Sequence, residues 1–496
     1  MTTLDALLRD TVRLHATRPA VVVDGRTLTY AELDTAIDRA GSWLAQQGCR
    51  PGRRVTLQLD KGLALLLMHL ACLRRGYVSV LVNPRAPQPE LEHVLRDSGA
   101  TVHVATTSAP RSSPGAVPGS VVDARLDPGA DFDDVEIDDA RSSPDAADLA
   151  CLLYTSGTTG QPKGARLLQR NLVANVSILR TAWGWTEDDR ILHVLPLFHV
   201  HGLFVAATTA LVAGACIELE PGFDAAPCWD ALRSGRIRVF MGVPTHYHRL
   251  LRDAPQAGPI ADLPVRLFTS GSAPLRPETT AAFRALTGHT ILERYGMTEV
   301  GMAASNPLVG ERRVGSVGPA LPGVALRVVD SSGRARPQGE VGEVLIRGPS
   351  VFAGYWERPE ADAEVFDEQG WLRSGDLGYL DEDGYLFLVG RTRELILSGG
   401  FNVYPREVEE ALDSHPSVAE SAVCGLPDDD LGERVVAGVV LASGATADPE
   451  ALAAHTRERL AAYKVPKVFA FMDALPRNAM GKLQRDQLAR LDAFPS

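Results

Sequence analysis

A segment rich in glycine and hydroxyl residues reads Tyr154-Thr-Ser-Gly-Thr-Thr-Gly-Gln-Pro-Lys-Gly164. An apolar run at 149–153, typical of a buried strand, precedes it, and apolar character resumes at 165–168. Glycines let successive backbone N–H groups turn toward one point, while hydroxyl side chains and Lys163 add donors and a positive charge. The pattern predicts a loop that binds a polyphosphate; a flexible surface turn is the alternative.

The lysine of this loop stands out in a chain that otherwise uses arginine. Of the 50 Lys and Arg residues only five are lysines, namely Lys61, Lys163, Lys464, Lys467 and Lys482. No Gly-Lys-Ser/Thr occurs at the Walker A spacing, so this is a different kind of phosphate loop.

Length and composition indicate a globular protein of more than one domain, with 496 residues, 45% hydrophobic and 23% charged. The net charge of -12 argues against a general binder of nucleic acid or of anionic membranes. The longest apolar run, at 63–73, is too short to cross a bilayer. Six scattered cysteines without zinc spacing, and no visible signal peptide, predict a reduced, cytoplasmic setting.

The order of apolar runs predicts the fold class. Strand-like and helix-like patterns alternate from residue 20 to about 300, which indicates α/β architecture with helix-flanked, mostly parallel sheets. Residues 106–148 are rich in Ser, Pro, Gly and Asp and are interpreted as a surface excursion with little core. Short β segments beyond about 315 predict a small β-rich part, and a small α+β domain follows. The predicted domains are 1–391 and 392–496.

Polar clusters follow several apolar runs, where ligands of a parallel sheet bind. They occupy 196–202, 242–249, 270–274, 293–299, 374–376 with 390–391, and 476–482. His199 and His201 lack a third metal-binding partner, so His199 is interpreted as a pocket wall, with an ordinary loop histidine as the alternative. Glu299 is the best candidate for a Mg²⁺ carboxylate, because Mg²⁺ on a nucleotide prefers one or two carboxylates with phosphate oxygens and water.

Taken together, these segments resemble the adenylate-forming superfamily of acyl-CoA synthetases, luciferases and peptide-synthetase adenylation domains, in order and spacing over essentially the whole chain. The resemblance implies ATP, Mg²⁺ and coenzyme A. A carboxylate attacks the α-phosphate of ATP and releases pyrophosphate, and the thiol then displaces AMP from the acyl-adenylate. The domain at 1–391 binds ATP and the acid, while 392–496 is a mobile lid that rotates between the two steps about a hinge at Arg393, where Asp or Lys is usual.

The resemblance also assigns roles to individual residues. The candidate catalytic residues are Lys482, Thr155, Glu299 and His199. Lys482 bridges the attacking carboxylate and the α-phosphate, and Glu299 binds Mg²⁺. The candidate cofactor-binding residues are Thr155, Ser156, Gly157, Thr158, Thr159, Gly160 and Lys163 for the polyphosphate; Ser272, Ala273, Pro274, Glu293, Arg294, Tyr295, Gly296, Met297 and Thr298 around the adenylate; Asp376 and Arg391 for the ribose; Lys482; and Ser398, Gly399 and Gly400 on the route of the pantetheine thiol.

For the acid, the chain is most similar to malonyl-CoA synthetases, as in His-Val-His-Gly at 199–202 and Gly-Val-Pro-Thr-His-Tyr-His-Arg at 242–249. That branch implies an acid site made by His199, Arg249, Ser272, Arg294 and Met302. The physical logic is that a buried second carboxylate needs hydrogen-bonded cations, and arginine offers a bidentate fork. Malonate or methylmalonate is therefore the favoured substrate.

One departure from the malonyl-CoA synthetase pattern leaves alternatives open. Val300, Gly301, Ala303 and Ala304 stand where polar residues are usual, which suits a larger or drier pocket. The alternatives are an aryl acid, nitrite, a carrier-protein thiol in place of coenzyme A, and a catalytically silent nucleotide-binding protein. Retention of Lys163, Glu299, Asp376 and Lys482 argues against the last of these.

Overall fold

The structure is a computed structural model that describes residues 2–106, 121–126, 132–138, 144–155, 162–254, 260, 263–477, 483–491 and 494. The chain forms two compact units: 1–325 together with 346–372, and 326–345 together with 373–496. The predicted α/β class is confirmed by the parallel, helix-flanked sheets of the first unit. Compactness alone does not test where a mobile domain begins, so the boundary between 391 and 392 stays a prediction.

The first unit carries the longer helices and two large sheets. Its described helices are α1 (Leu4–His15), α2 (Tyr30–Gln46), α3 (Leu63–Arg75), α4 (Gln88–Ser98), α5 (Gln169–Ala182), a π-helix (His201–Thr208), α6 (Thr209–Val212), α7 (Ala225–Arg233), α8 (Pro244–Arg252), α9 (Pro277–Thr287) and α10 (Pro359–Val365). Its described strands are β1 (Pro19–Val23), β2 (Arg26–Thr29), β3 (Arg54–Gln58), β4 (Val78–Leu81), β5 (Val102–Thr106), β6 (Val122–Leu126), β7 (Leu149–Thr155), β8 (Lys163–Leu168), β9 (Arg190–His193), β10 (Cys216–Leu219), β11 (Val239–Gly242), β12 (Leu267–Ser270), β13 (Leu292–Met297) and β14 (Gly301–Ser305).

The eight-stranded sheet positions most of the candidate site. Its strand order is β14-β13-β12-β11-β9-β10-β1-β2; β9 to β13 run parallel to one another, and β14 pairs antiparallel with β13. Because carboxyl ends of parallel strands meet at one edge, the segments after β9, β11 and β12 lie beside β13. Pairing of Ser270 with Glu293 shows this register directly.

The six-stranded sheet contains the two strands that flank the predicted phosphate loop. Its order is β6-β5-β3-β4-β7-β8, and β7 pairs antiparallel with β8 so that Thr155 lies opposite Lys163. The motif at 154–164 therefore begins at the end of β7 and ends at the start of β8, and these two strands are adjacent. A run of fully buried Val and Leu side chains on β3, β4 and β7 explains why this part of the sheet is central.

The interpretation of 106–148 as an excursion with little core was wrong for part of that range. Strand β6 pairs parallel with β5 and extends the sheet, and the side chains of Ala124, Leu126 and Phe132 are buried. Only five residues form the strand, and its composition around the apolar positions is polar. An edge strand of this kind has too short an apolar pattern to be recognised.

The second unit contains two further sheets. Its strands are β15 (Ala325–Val329), β16 (Gly342–Arg347), β17 (Leu372–Leu380), β18 (Leu386–Arg391), β19 (Ile396–Ser398), β20 (Phe401–Val403), β21 (Val418–Asp428), β22 (Gly432–Leu441) and β23 (Val468–Phe471), and its α-helices are α11 (Pro405–Asp413), α12 (Pro449–Arg457) and α13 (Arg485–Leu488). One sheet has the order β15-β16-β17-β18, and in the other β20-β19-β22-β21 is joined by β23 on β22. Val403, Val408, Leu412, Val423 and Val435 form the core of the α+β part.

No helix in the described ranges is long and apolar enough to cross a membrane.

A buried arginine ties three helices of the first unit together. The Arg74 side chain on α3 is 2% exposed and pairs with Asp5 of α1 at 2.8 Å and with Asp34 and Asp38 of α2 at 2.5 and 3.0 Å. A cation in this position is stabilised only while its carboxylates surround it, and the carboxylates would repel one another without it.

We expect Arg74→Met to destabilise the first unit by about 3–5 kcal/mol, because one change removes a buried guanidinium from three partly buried carboxylates. The control is Arg9→Met, which removes a 45% exposed arginine that pairs with the same Asp5 and should cost about 0–1 kcal/mol. Denaturant unfolding followed by circular dichroism measures both. Equal losses in the free energy of unfolding in the two variants would contradict the stabilising role of the Arg74 ion pairs.

Candidate active site

A carboxylate, a hydroxyl and a phenol meet at the base of the phosphate loop. Glu299 is 6% exposed, and its Oε1 accepts from Tyr355 Oη at 2.9 Å and from Thr155 Oγ1 at 3.5 Å. Burial, followed by the Glu299 charge, raises the pKa of Tyr355 well above its usual value, so the hydroxyl stays a donor. A buried carboxylate among oxygen groups beside a phosphate loop fits Mg²⁺, which prefers oxygen ligands.

Both arms of the phosphate loop are anchored to α4. Tyr154 Oη donates to Asp97 at 2.7 Å, and His93 Nε2 lies 2.9 Å from the Pro162 carbonyl oxygen. Lys163 lies over the ring of Tyr355, 5.6 Å from its centroid. The expected phosphate contacts of Ser156, Gly157, Thr158, Thr159 and Gly160, and the role of Lys482, fall outside the described residues.

Arg294, at the carboxyl end of the eight-stranded sheet, is a buried cation. It is 2% exposed, and within the described part of the chain it pairs with no carboxylate. Its Nε is buried and has no hydrogen-bond partner among the described residues. Burial lowers the pKa of Arg294 to about 10, which still leaves the guanidinium charged at neutral pH. A buried charge of this kind is costly unless a ligand supplies the opposite charge.

The seat of Arg294 is made by a glycine and a histidine. A Cβ on Gly271 would lie 2.2 Å from Arg294 Nη1, so only glycine lets the guanidinium pack against the backbone after β12. Arg294 Nη2 donates to His201 Nε2. Since a guanidinium cannot accept, the His201 proton is on Nδ1, which lies 3.4 Å from Ser272 Oγ.

Local structure explains how His201 reaches this position. It begins the π-helix at 201–208, a form that often marks functional sites. A Cβ on the following Gly202 would lie 2.1 Å from the carbonyl oxygen of Pro196, so the turn requires glycine. Burial, with Arg294 next, lowers the pKa of His201 well below its usual value and keeps the ring neutral. A neutral ring can accept from Arg294.

Two other residues expected at the acid site form no hydrogen bond with Arg294, His201 or Ser272. The His199 ring packs on Phe198 with centroids 4.4 Å apart, and its side chain makes no hydrogen bond to any described residue. Burial lowers the pKa of His199 to about 4. Arg249 is exposed on α8, and no described group forms a side-chain hydrogen bond or ion pair with it. The structure thus brings together Arg294, His201 and Ser272.

The remaining adenylate candidates follow β12 and β13. Ser272 is exposed and has φ 69°, a left-handed conformation that is strained for serine and recurs at ligand sites. Glu293 Oε1 accepts from the Gly315 backbone N–H at 3.1 Å, which fixes that carboxylate. Ala273, Met297 and Thr298 are partly exposed, Pro274 is exposed and Tyr295 is buried. A Cβ on Gly296 would lie 1.9 Å from the Gly301 carbonyl oxygen and 2.3 Å from Met302 Cε, so Met302 covers the glycine.

In the second unit, the two ribose candidates contact each other. Asp376 and Arg391 are cross-strand partners on β17 and β18, and their side chains pair at 3.1 Å. Ser398 is buried, whereas Gly399 and Gly400 are exposed and left-handed, with φ 59° and 80°. Such a turn requires glycine.

Sequence reasoning missed His201, Gly271 and Tyr355. His201 lies in the same motif as His199, and nothing in the local pattern distinguishes the two histidines. A glycine directly after a strand, as at Gly271, was an available signal for close packing. Tyr355 lies outside every motif considered.

Comparisons with known proteins identify the family. The family described as AMP-binding enzyme matches residues 8–356, and its AMP-binding enzyme C-terminal domain matches 407–482. The ATP-bound crystal structure of MatB from Rhodopseudomonas palustris superposes with a TM-score of 0.93 and 40% identity, covering 98% of both chains.

Curated relatives share the chemistry but differ in the acid. A sulfoacetate–CoA ligase of Cupriavidus necator is 39% identical over 94% of this chain and 92% of its own. A feruloyl-CoA synthase of an Amycolatopsis species is 38% identical over 96% of both chains. The mitochondrial malonate–CoA ligase of Mus musculus is 36% identical over 94% of this chain and 87% of its own. The resemblance drawn from the motifs is confirmed. The chain belongs to the AMP-binding enzyme family and is an ATP-dependent, AMP-forming acid–thiol ligase.

Proposed function

We propose that this enzyme activates a small acid that carries a second anionic group, with malonate or methylmalonate as the favoured substrate and coenzyme A as the thiol. The observation that carries the proposal is the buried Arg294 without a carboxylate partner among the described residues. The carboxylate that is activated has to reach the α-phosphate of ATP. A second anion on the same molecule is then the natural partner for the guanidinium.

The distal anion would bind the Arg294 guanidinium, whose position is already fixed by its neighbours. His201 holds one end of the Arg294 guanidinium, and Gly271 lets the group lie against the backbone. The other N–H donors can address a carboxylate in bidentate fashion. Ser272 and the exposed Arg249 are proposed as further ligands, while Met302 would form the apolar side of the pocket. His199 keeps its proposed role as pocket wall.

Sulfoacetate is a second candidate, because its sulfonate presents the same charge at the same distance from the activated carboxylate. It is supported by the similarity to the sulfoacetate–CoA ligase. Ferulate, the acid in another relative's name, has no second carboxylate. It would leave the guanidinium buried and unpaired.

On the nucleotide side, the proposal gives Thr155, Lys163 and the loop between them the β- and γ-phosphates, and Glu299 the metal. Mg²⁺, when bound, would neutralise part of the polyphosphate charge. The attacking carboxylate oxygen forms the bond to the α-phosphorus as pyrophosphate leaves. Lys482 is proposed to bridge the two reacting groups, and Asp376 and Arg391 to hold the ribose. Glu293, Tyr295 to Thr298, and Ser272 to Pro274 would border the adenylate.

In the thioester step, the thiol sulfur attacks the acyl carbon and AMP leaves. Ser398, Gly399 and Gly400 are proposed to line the thiol's route. A carrier-protein thiol is the alternative acceptor. A cytoplasmic location is part of the proposal and is supported by six free, buried cysteines, as expected in a reducing compartment.

We expect the purified enzyme with Mg-ATP to exchange radioactive pyrophosphate into ATP with malonate and methylmalonate at least about tenfold faster than with ferulate, because only the dianions satisfy the buried guanidinium. Sulfoacetate belongs in the same panel. Adding coenzyme A should give the thioester. Strong exchange with ferulate, or ATP consumption with nitrite, would overturn the proposed substrate. Formation of the adenylate without a coenzyme A thioester would favour a carrier protein as the thiol acceptor.

We expect Arg249→Ala to raise the KM for malonate about 10- to 100-fold, the scale of one charge-assisted hydrogen bond, and to change the KM for ATP little. Arg252→Ala is the matched control, since Arg252 is exposed on the same helix and pairs with Asp253. Steady-state kinetics with each substrate varied separately provides the measurement. A parallel rise in both KM values would count against an acid-binding role.

A further inference from the structure

One short segment of the first unit runs between Glu299 and the phosphate loop. The backbone N–H of Phe352 donates to the Glu299 carbonyl oxygen at 2.8 Å. Arg166 N–H donates to the Gly354 carbonyl at 3.0 Å, and Trp356 N–H donates to the Gly164 carbonyl at 2.8 Å. Residues 352–356 are therefore bonded at one end to the carboxylate-bearing turn and along their length to β8.

Gly354 and Asp362 fix the conformation of residues 352–356. Gly354 has φ 97°, and a Cβ there would lie 2.3 Å from Asp362 Oδ2, so the position requires glycine. Asp362 Oδ1 accepts from the Tyr355 backbone N–H at 2.6 Å. Phe352 packs edge-on against the Tyr355 ring with centroids 4.9 Å apart. The ring of Tyr355 is thus held in one place, with 9% of the residue exposed.

From that position Tyr355 touches two groups that the proposed function gives to the nucleotide. Its hydroxyl donates to Glu299 Oε1 at 2.9 Å, and the same oxygen accepts from Thr155 at 3.5 Å. Its ring face lies under the ammonium group of Lys163 at 5.6 Å, within the range of a cation–π contact. No other described side chain makes both contacts.

We propose that Tyr355 is a positioning residue that orients the Glu299 carboxylate for Mg²⁺ and the Lys163 ammonium for the polyphosphate, so that both are set before Mg-ATP arrives. This inference rests on the proposed roles of Glu299 and Lys163. Hydrogen bonds to a ligating carboxylate fix its plane, and losing one commonly weakens metal binding by about 10–100-fold. The ring acts separately, because it contacts the lysine and not the carboxylate.

The two halves of the side chain can be separated by mutation. Tyr355→Phe removes the hydroxyl and keeps the ring, so the free Mg²⁺ needed for half-maximal ATP binding should rise about tenfold. ATP binding in EDTA should not change. Tyr355→Leu also removes the ring and should weaken ATP binding in EDTA by about threefold, the scale of one partly exposed cation–π contact. Titration calorimetry with ATP at fixed Mg²⁺ concentrations measures both effects without catalysis.

A double-mutant cycle ties the effect to the carboxylate. In the background of Glu299→Gln, adding Tyr355→Phe should change the Mg²⁺ requirement no further. Tyr30→Phe is the structural control: it removes a fully buried hydroxyl that donates to the Ala215 carbonyl at 2.7 Å, and it should leave the Mg²⁺ requirement at the wild-type value.

The outcomes separate this inference from the proposed function. If ATP binding to the wild type does not depend on Mg²⁺, the proposed nucleotide site fails. If the wild type depends on Mg²⁺ and Tyr355→Phe has the same requirement, the role of Tyr355 is overturned. An equal loss with and without Mg²⁺ in Tyr355→Phe would likewise contradict it, because that pattern indicates general damage to the site.

Discussion

The proposed acid site depends on one desolvated charge, the guanidinium of Arg294. In the part of the chain that the structure describes, it has a neutral histidine, a glycine backbone and no carboxylate around it. A protein gains nothing in stability from such a charge, since burying a cation without its counterion is costly. The arrangement is explicable when the counterion arrives with the substrate. His201 and Gly271 then serve to hold the guanidinium in a fixed position.

The fold places the candidate acid-binding residues and the candidate nucleotide-binding residues on different segments. Segments after β9, β11 and β12 surround the carboxyl end of β13 and supply the acid-binding candidates, including His201 and Ser272. The nucleotide candidates come from the loop between β7 and β8 and from the turn between β13 and β14, which carries Glu299. With this division, the acid can differ between family members while the reaction with the nucleotide stays the same. The varied acids in the relatives' names are consistent with this division.

Sequence patterns predicted the fold because strand-like apolar runs alternate with segments whose apolar residues have helical spacing. Glycine-rich loops follow several of the strands. The patterns also selected Thr155, Glu299 and Arg294, whose residue types suit the chemistry. His199 enters the predicted acid site through the resemblance to malonyl-CoA synthetases. The π-helix that begins at His201 has a hydrogen-bond spacing that a period of 3.6 residues does not predict. The patterns missed Tyr355, which lies 56 positions from Glu299, because its contact is created only when residues 352–356 pair with β8. Contacts over such distances depend on tertiary packing, which no local pattern encodes.

We propose that Arg294 recognises the second negative charge of the acid. The most direct measurement is the ratio of kcat/KM for malonate to kcat/KM for malonamate, in which a neutral amide replaces the distal carboxylate, in the wild type and in Arg294→Met. A ratio is independent of the fraction of active enzyme. We expect a preference for malonate of about 100-fold or more in the wild type and a fall of at least about tenfold in that preference in the variant. An unchanged preference in Arg294→Met would contradict the proposed role of Arg294.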